Sequence, residues 1–334
     1  MSVPHLVSYF RGQGHVALFS VLVALMHYTE MFKTKNWMKI QYTCFFNSKW
    51  NIFSLNLSHP QVKDIWDLQK FKYPWPTPDM AIYRNYSPEI LWSEMQETPL
   101  RYGIFVQCLN RSANEAKWVI EQASKYPFIK GIVAGLDLED LQIRHEIDEI
   151  QSLSPLVKGV RHILDEEEDD WICRDDVGRG LAVLQEKGLT YDLLVRPRHL
   201  KYIPDVIQKY PKLNFVVDHI AKPFIKDKIF DGWKEDMRNI AMFPNVFCKL
   251  SGMVTEADWC NWRTEDIQPY VDHIMEIFSP ERCMFGSDWP VCSLASSTLK
   301  QVFQLMERLL SSCSEQDRQK MFRTNAIKFY NLDL

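Results

Sequence analysis

Seven short runs of apolar, often β-branched residues recur along this chain: Tyr102–Leu109, Ile129–Leu136, Val157–Leu164, Thr190–Val195, Asn214–His219, Asn245–Leu250 and Arg282–Ser287. Successive runs lie about 30 residues apart, the length of one strand–helix unit. A small echo marks three consecutive units, where Gly103-Ile104, Gly131-Ile132 and Gly159-Val160 stand at similar points. Helical segments fill the gaps. Ser112-x-x-Glu115 reads as a capping box, after which Ala116, Val119, Ile120 and Ala123 share one helical face. Ser314-x-x-Asp317 starts another helix near the end. Strands that alternate with helices imply a parallel sheet covered by its helices. Seven units plus one ambiguous start predict a (β/α)8 TIM-type barrel whose first strand is atypical or missing. An open doubly wound sheet has the same periodicity. The absence of a G-x-G-x-x-G or other phosphate-cradling loop weakens its nucleotide-binding version.

Length and composition agree with one such domain. The chain has 334 residues, of which 46% are hydrophobic and 25% charged, so a large core can form. A net charge of −4 gives no electrostatic reason to expect a nucleic-acid or membrane partner. The eight cysteines form no C-x-x-C pair, which reads as reduced thiols in a cytoplasmic protein. Val16–Met26 is almost wholly apolar, but it is short for a bilayer span and no small-x-small cleavage site follows it. Residues 1–60 show no repeating pattern. They are expected to be an atypical segment, poorly ordered or a partial substitute for the first strand, with the barrel domain at 61–334.

In a barrel, reactive side chains gather where strands end, at the carboxyl face. The third run closes on Arg161-His162, the fifth on Asp218-His219 followed by Lys222-Pro223, the sixth on Lys249-Leu250-Ser251-Gly252, and the seventh on Gly286-Ser287-Asp288-Trp289-Pro290. Each signal has a plainer explanation. A lone histidine at a strand end is more often structural, Asp288 can cap a loop, and Lys222 can be a solvated charge. The acidic run Asp165–Asp170 reads as a solvated loop. Recurrence of polar residues at the same relative place in several units is what favours a site.

Phe215-Val216-Val217-Asp218-His219-Ile220-Ala221-Lys222-Pro223 and Met284-Phe285-Gly286-Ser287-Asp288-Trp289-Pro290-Val291 resemble signatures of the amidohydrolase superfamily, in its L-fuconolactonase and L-rhamnonolactonase branch. Gly159-Val160-Arg161-His162, Lys249-Leu250-Ser251-Gly252 and Trp66-Asp67-Leu68 with Tyr73-Pro74-Trp75 fit the same branch. The resemblance implies hydrolysis of a small sugar-acid lactone such as L-fucono-1,4-lactone. In that scheme Asp288 is the general base on water, and His219 binds or polarises the reacting centre. Arg161 and His162 hold a substrate oxygen, and Trp289, Lys249, Trp259 and Trp66 line the sugar pocket. It also implies one divalent metal, zinc, with His219 and Asp288 among its ligands, although some lactonases of the superfamily work without one. Family members begin with Asp-x-His-x-His shortly before Trp-Asp-Leu. Here Val62 and Asp64 stand in the two histidine positions, and no His-x-His occurs anywhere. Losing two imidazoles leaves a zinc site short of donors and implies impaired turnover. A metal-dependent decarboxylase of the same superfamily and a non-catalytic barrel that binds a small ligand are the alternatives.

Overall fold

The seven runs become seven strands. In the computed structural model they are β2 (Leu100–Val106), β3 (Ile129–Gly135), β4 (Val157–Ile163), β5 (Thr190–Leu194), β6 (Phe215–Val217), β7 (Val246–Leu250) and β8 (Cys283–Phe285). Each pairs in parallel with the next, in the order of the sequence. The structure describes residues 41–46 and 75–334 apart from 109, 110 and 296, with the backbone alone at 41–46. The fold is a (β/α)8-type barrel with an aberrant first strand. The place beside β2 is taken by β1 (Gln41–Phe46), which runs antiparallel, from Gln41 opposite Val106 to Phe46 opposite Leu100. Among the described residues no ladder joins β8 back to β1. Val16–Met26, Val62, Asp64 and Trp66 lie outside the described residues.

Strand alternation sorts side chains into two layers. Phe215, Val217, Tyr191, Leu193, Cys248 and Phe285 face the helices and join the main core. The opposite set (Ile104, Val106, Val133, Val216, Phe247 and Met284) faces the barrel interior. That interior is closed below by the last turn of the chain, through Ala326, Phe329, Tyr330 and Leu332. Among the helices, Ala113–Lys125 starts at Ser112, whose Oγ accepts the Asn114 N–H at 3.2 Å. Glu115 is buried and its carboxylate accepts the Cys108 N–H at 3.1 Å, so it ties the helix start to the end of β2. The seven cysteines whose side chains are described are all free. No helix among the described residues is long and apolar enough to cross a membrane.

Candidate active site

Directly after β6 the backbone enters the left-handed region and stays there for four residues: His219, Ile220, Ala221 and Lys222 have φ of 53°, 48°, 62° and 48°. Such angles cost a residue with a Cβ about 1–2 kcal/mol each. The turn is held by its surroundings. The buried Trp233 indole N–H donates to the Ile220 carbonyl at 2.8 Å, and the Lys222 N–H donates to the His219 carbonyl at 2.8 Å. Asp288, just past β8, has φ 52°. Strain concentrated at strand ends is a common accompaniment of a functional site.

These two turns bring together the groups that the sequence separates. His219 Nε2 lies 3.7 Å from Asp288 Oδ1, a separation longer than a direct hydrogen bond. The Thr255 hydroxyl contacts Asp288 Oδ2 at 3.4 Å. His219 Nδ1 and Ser251 Oγ are 2.8 Å apart, which fixes the ring plane. Burial pushes the His219 imidazolium pKa below the ordinary value, against the opposing pull of Asp288 and Asp218, so the neutral ring is favoured. Gly252 makes this packing possible: its φ is 65°, and a Cβ there would sit 2.7 Å from the His219 ring.

His219 and Thr255 line a cavity of about 390 Å³, the size class of small-molecule sites. Its floor and walls include Cys108, Arg161, Ile163, Leu194 and Trp259, and its polar side holds Asp165, Arg196, Lys222 and Glu256. Trp259 is 43% exposed and its indole N–H donates to the Thr255 carbonyl at 2.8 Å. Trp75 also lines the cavity.

Beneath the cavity lies a buried chain of charges. Arg161 donates to Asp218 Oδ2 at 2.8 Å and to the side chain and carbonyl of Gln107. Lys249 bridges Asp218 at 2.6 Å and Asp192 at 2.5 Å, and Tyr330 donates its hydroxyl to Asp192 at 2.8 Å. All four ionised groups are almost completely buried. Burial opposes the charge on Asp218, but Lys249 and Arg161 outweigh it and hold the carboxyl well below the usual range. For Asp192 burial prevails over Lys249 and raises the carboxyl.

The expected site residues therefore separate. His219, Arg161 and Trp259 line the cavity, and Asp288 lies against two of its lining residues, His219 and Thr255. Lys249 lies deeper, inside the barrel, where it bridges carboxylates. His162 points the other way, into the helix layer. It stacks on Trp171 at 4.1 Å between ring centroids, and its Nε2 is 2.9 Å from Glu167. Trp289 is buried edge-on to Tyr86 at 5.2 Å, away from the cavity lining. Two plainer readings need correction. Lys222 is no solvated loop charge, because it pairs with Asp165 at 2.8 Å. The acidic run is not a freely solvated loop, since Asp165 faces the cavity and Glu167 pairs with both Arg111 and His162. Sequence reasoning passed over Arg196, Thr255 and Glu256. The signal available for Arg196 was its place directly after the fourth run, Thr190–Val195.

Among the described residues the donor set for a metal is incomplete. Catalytic zinc takes three protein ligands. Among the described residues no three His, Cys, Asp or Glu side chains converge as a metal site, and His219 and Asp288 supply two.

The family model described as Amidohydrolase matches residues 58–332. An L-fucono-1,5-lactonase of Burkholderia multivorans is 33% identical over 280 residues, covering 80% of this chain and 93% of that protein. An L-fucono-1,5-lactonase of Burkholderia ambifaria is 30% identical over 276 residues, with the same coverage of 80% and 93%. The crystal structure of an amidohydrolase from Burkholderia multivorans with bound zinc superposes with a TM-score of 0.75 at 32% identity, covering 80% of this chain and 96% of that one. With its barrel, its strand-end His219 and Asp288 and a match over most of its length, the chain belongs to the amidohydrolase family.

Proposed function

We propose that the protein hydrolyses the ester bond of a small sugar-acid lactone, with L-fucono-1,4-lactone as the type of substrate. The observation that carries this reading is the juxtaposition of His219 and Asp288, 3.7 Å apart at the ends of two parallel strands and against a cavity of monosaccharide size. Lactone opening needs a base for water and support for the oxyanion that forms at the carbonyl. Asp288 takes a proton from water, and the resulting hydroxide adds to the carbonyl carbon. His219, kept neutral by burial, and the fixed positive charge of Arg161 support the oxyanion of the tetrahedral species; its collapse breaks the ring C–O bond, and Asp288 returns its proton to the departing ring oxygen to give the hydroxy acid. Ser251 and Thr255 hold the imidazole and the carboxylate in place.

Among the described residues His219 and Asp288 are the donors that would hold a zinc ion, which when bound would polarise the lactone carbonyl or the attacking water. A decarboxylase reading depends on a complete metal site, and the sequence lacks the His-x-His pair that such a site uses. The test is acid release from L-fucono-1,4-lactone by the purified full chain and by Asp288→Asn. Loss of turnover in the variant is expected. A variant that retains the full rate discards the assignment, and ligand protection against heating with no turnover in either protein would make the barrel a binder.

A further inference from the structure

The polar side of the cavity is built from residues distant in sequence. Asp165 follows β4, Arg196 follows β5, Lys222 ends the left-handed turn after β6, and Glu256 follows β7. Lys222 Nζ meets Asp165 Oδ2 at 2.8 Å, and Arg196 Nε lies 3.2 Å from Asp165 Oδ1. Arg196 reaches on to Glu256 Oε2 at 3.4 Å. Two anions and two cations thus line one wall, each held by its neighbour and each facing the cavity. None is fully buried, so each keeps hydrogen-bonding capacity for a ligand.

Resting on the lactone-hydrolase reading, we propose that Asp165, Arg196, Lys222 and Glu256 form a hydroxyl-reading wall. It selects neutral, polyhydroxylated lactones, with the Trp259 indole as the flat surface beside it. A sugar hydroxyl both donates and accepts, whereas a carboxylate only accepts and a guanidinium or ammonium only donates. Alternating acceptors and donors therefore match neighbouring hydroxyls, which a wall of one sign does not. The exposed indole supplies an apolar face for the ring carbons. Charge decides the rest. The two cations are balanced by the two carboxylates, and exposed Glu166 at the rim adds a negative charge. A carboxylate on the ligand finds no surplus cation on this wall. Burial raises the Glu256 carboxyl against the pull of Lys222 and Arg196.

The test compares two substrates within each enzyme: L-fucono-1,4-lactone, and γ-butyrolactone, which has the same ring without hydroxyls. Acid release gives kcat/KM for each. The wild type is expected to prefer the sugar lactone by about 100-fold or more, since sites built to bond a hydroxyl discriminate strongly against its absence. Glu256→Gln, Arg196→Met and Lys222→Met are each expected to cut that ratio at least tenfold, mostly through KM. Because the ratio divides out the amount of folded enzyme, it holds even where a variant is partly unfolded. Equal losses on both lactones in all three variants would make the cluster a structural ion-pair network and overturn the proposal. So would a wild-type preference for a carboxylated lactone of the same ring size. A wild type that opens neither lactone removes the underlying hydrolase reading as well, an outcome distinct from unequal or equal losses in an active enzyme.

Discussion

Gly252→Ala puts the geometry of the site to a quantitative trial. The residue has φ 65°, and a Cβ built on it lies 2.7 Å from Cβ, Cγ and Nδ1 of His219. An L-residue held at that φ costs about 1–2 kcal/mol. The clash is with a ring root rather than with the far end of a flexible side chain, so the imidazole must shift and lose its 2.8 Å contact with Ser251, at about 1 kcal/mol. Loss of glycine's freedom in the unfolded chain offsets about 0.4–1 kcal/mol of this. The net expectation is a destabilisation of about 2 kcal/mol by equilibrium urea unfolding. The kinetic effect should be larger in proportion, because a misplacement of about 1 Å at a reacting group costs on the order of 100-fold. Acid release from L-fucono-1,4-lactone should therefore fall by about two orders of magnitude, with most of the protein still folded. If the variant unfolds within about 0.5 kcal/mol of the wild type and turns over at the same rate, the placement of His219 against Gly252 is wrong.

Lys249→Met strips the shared cation from Asp192 and Asp218, and urea unfolding should show a loss of about 3–5 kcal/mol; adding Asp192→Asn should restore part of it, and additive losses would refute the coupling. His162→Gln should reduce stability by about 1–3 kcal/mol through the lost Glu167 contact and the lost stacking on Trp171, while kcat stays within about threefold; a hundredfold fall in kcat would return His162 to the reacting centre. The acid side of the stability profile follows from four histidines, His162, His199, His219 and His273, whose pKa burial lowers. The unfolded chain binds protons at these sites first, so their stabilising contribution is present above about pH 6.5 and is lost as the pH falls toward the folded values. Unfolding free energy should be lower at pH 5.5 than at pH 7.5, and the reverse order would contradict the burial of these rings.

The strands were legible because apolar runs at a regular spacing leave a parallel sheet few other readings. The observed strands all lie within one or two residues of the runs, β2 excepted in starting at Leu100 and ending at Val106. His219 and Asp288 were legible as strand-end residues, and the left-handed turn that aims His219 at the cavity adds a detail that no spacing reveals. Side-chain parity was harder. Arg161 and His162 are adjacent, and only the register of β4 decides that the guanidinium enters the barrel while the imidazole faces the helices. Asp165 looked like part of a solvated acidic run, because its partner Lys222 lies 57 residues away and charge pairing across that separation leaves no local trace. Trp289 and Tyr86 meet from opposite ends of the chain for the same reason. The first strand was illegible because β1 pairs antiparallel, outside the repeat that identifies the others.

The last turn of the chain has a consequence for how the molecule assembles. Tyr330 reaches Asp192 from below, Leu332 packs where a Cβ on Gly131 would sit 3.1 Å away, and Lys158 donates to the Asn331 carbonyl at 2.9 Å. Until that segment docks, Asp192, Asp218, Lys249 and Arg161 sit in a tube open to water at its lower mouth, where their mutual attraction is screened. Docking expels that water and gives the four groups their full grip on one another. The stopper and the electrostatic lock thus depend on each other, and an otherwise complete ring of strands without its stopper would be a looser, wetter body than the finished enzyme.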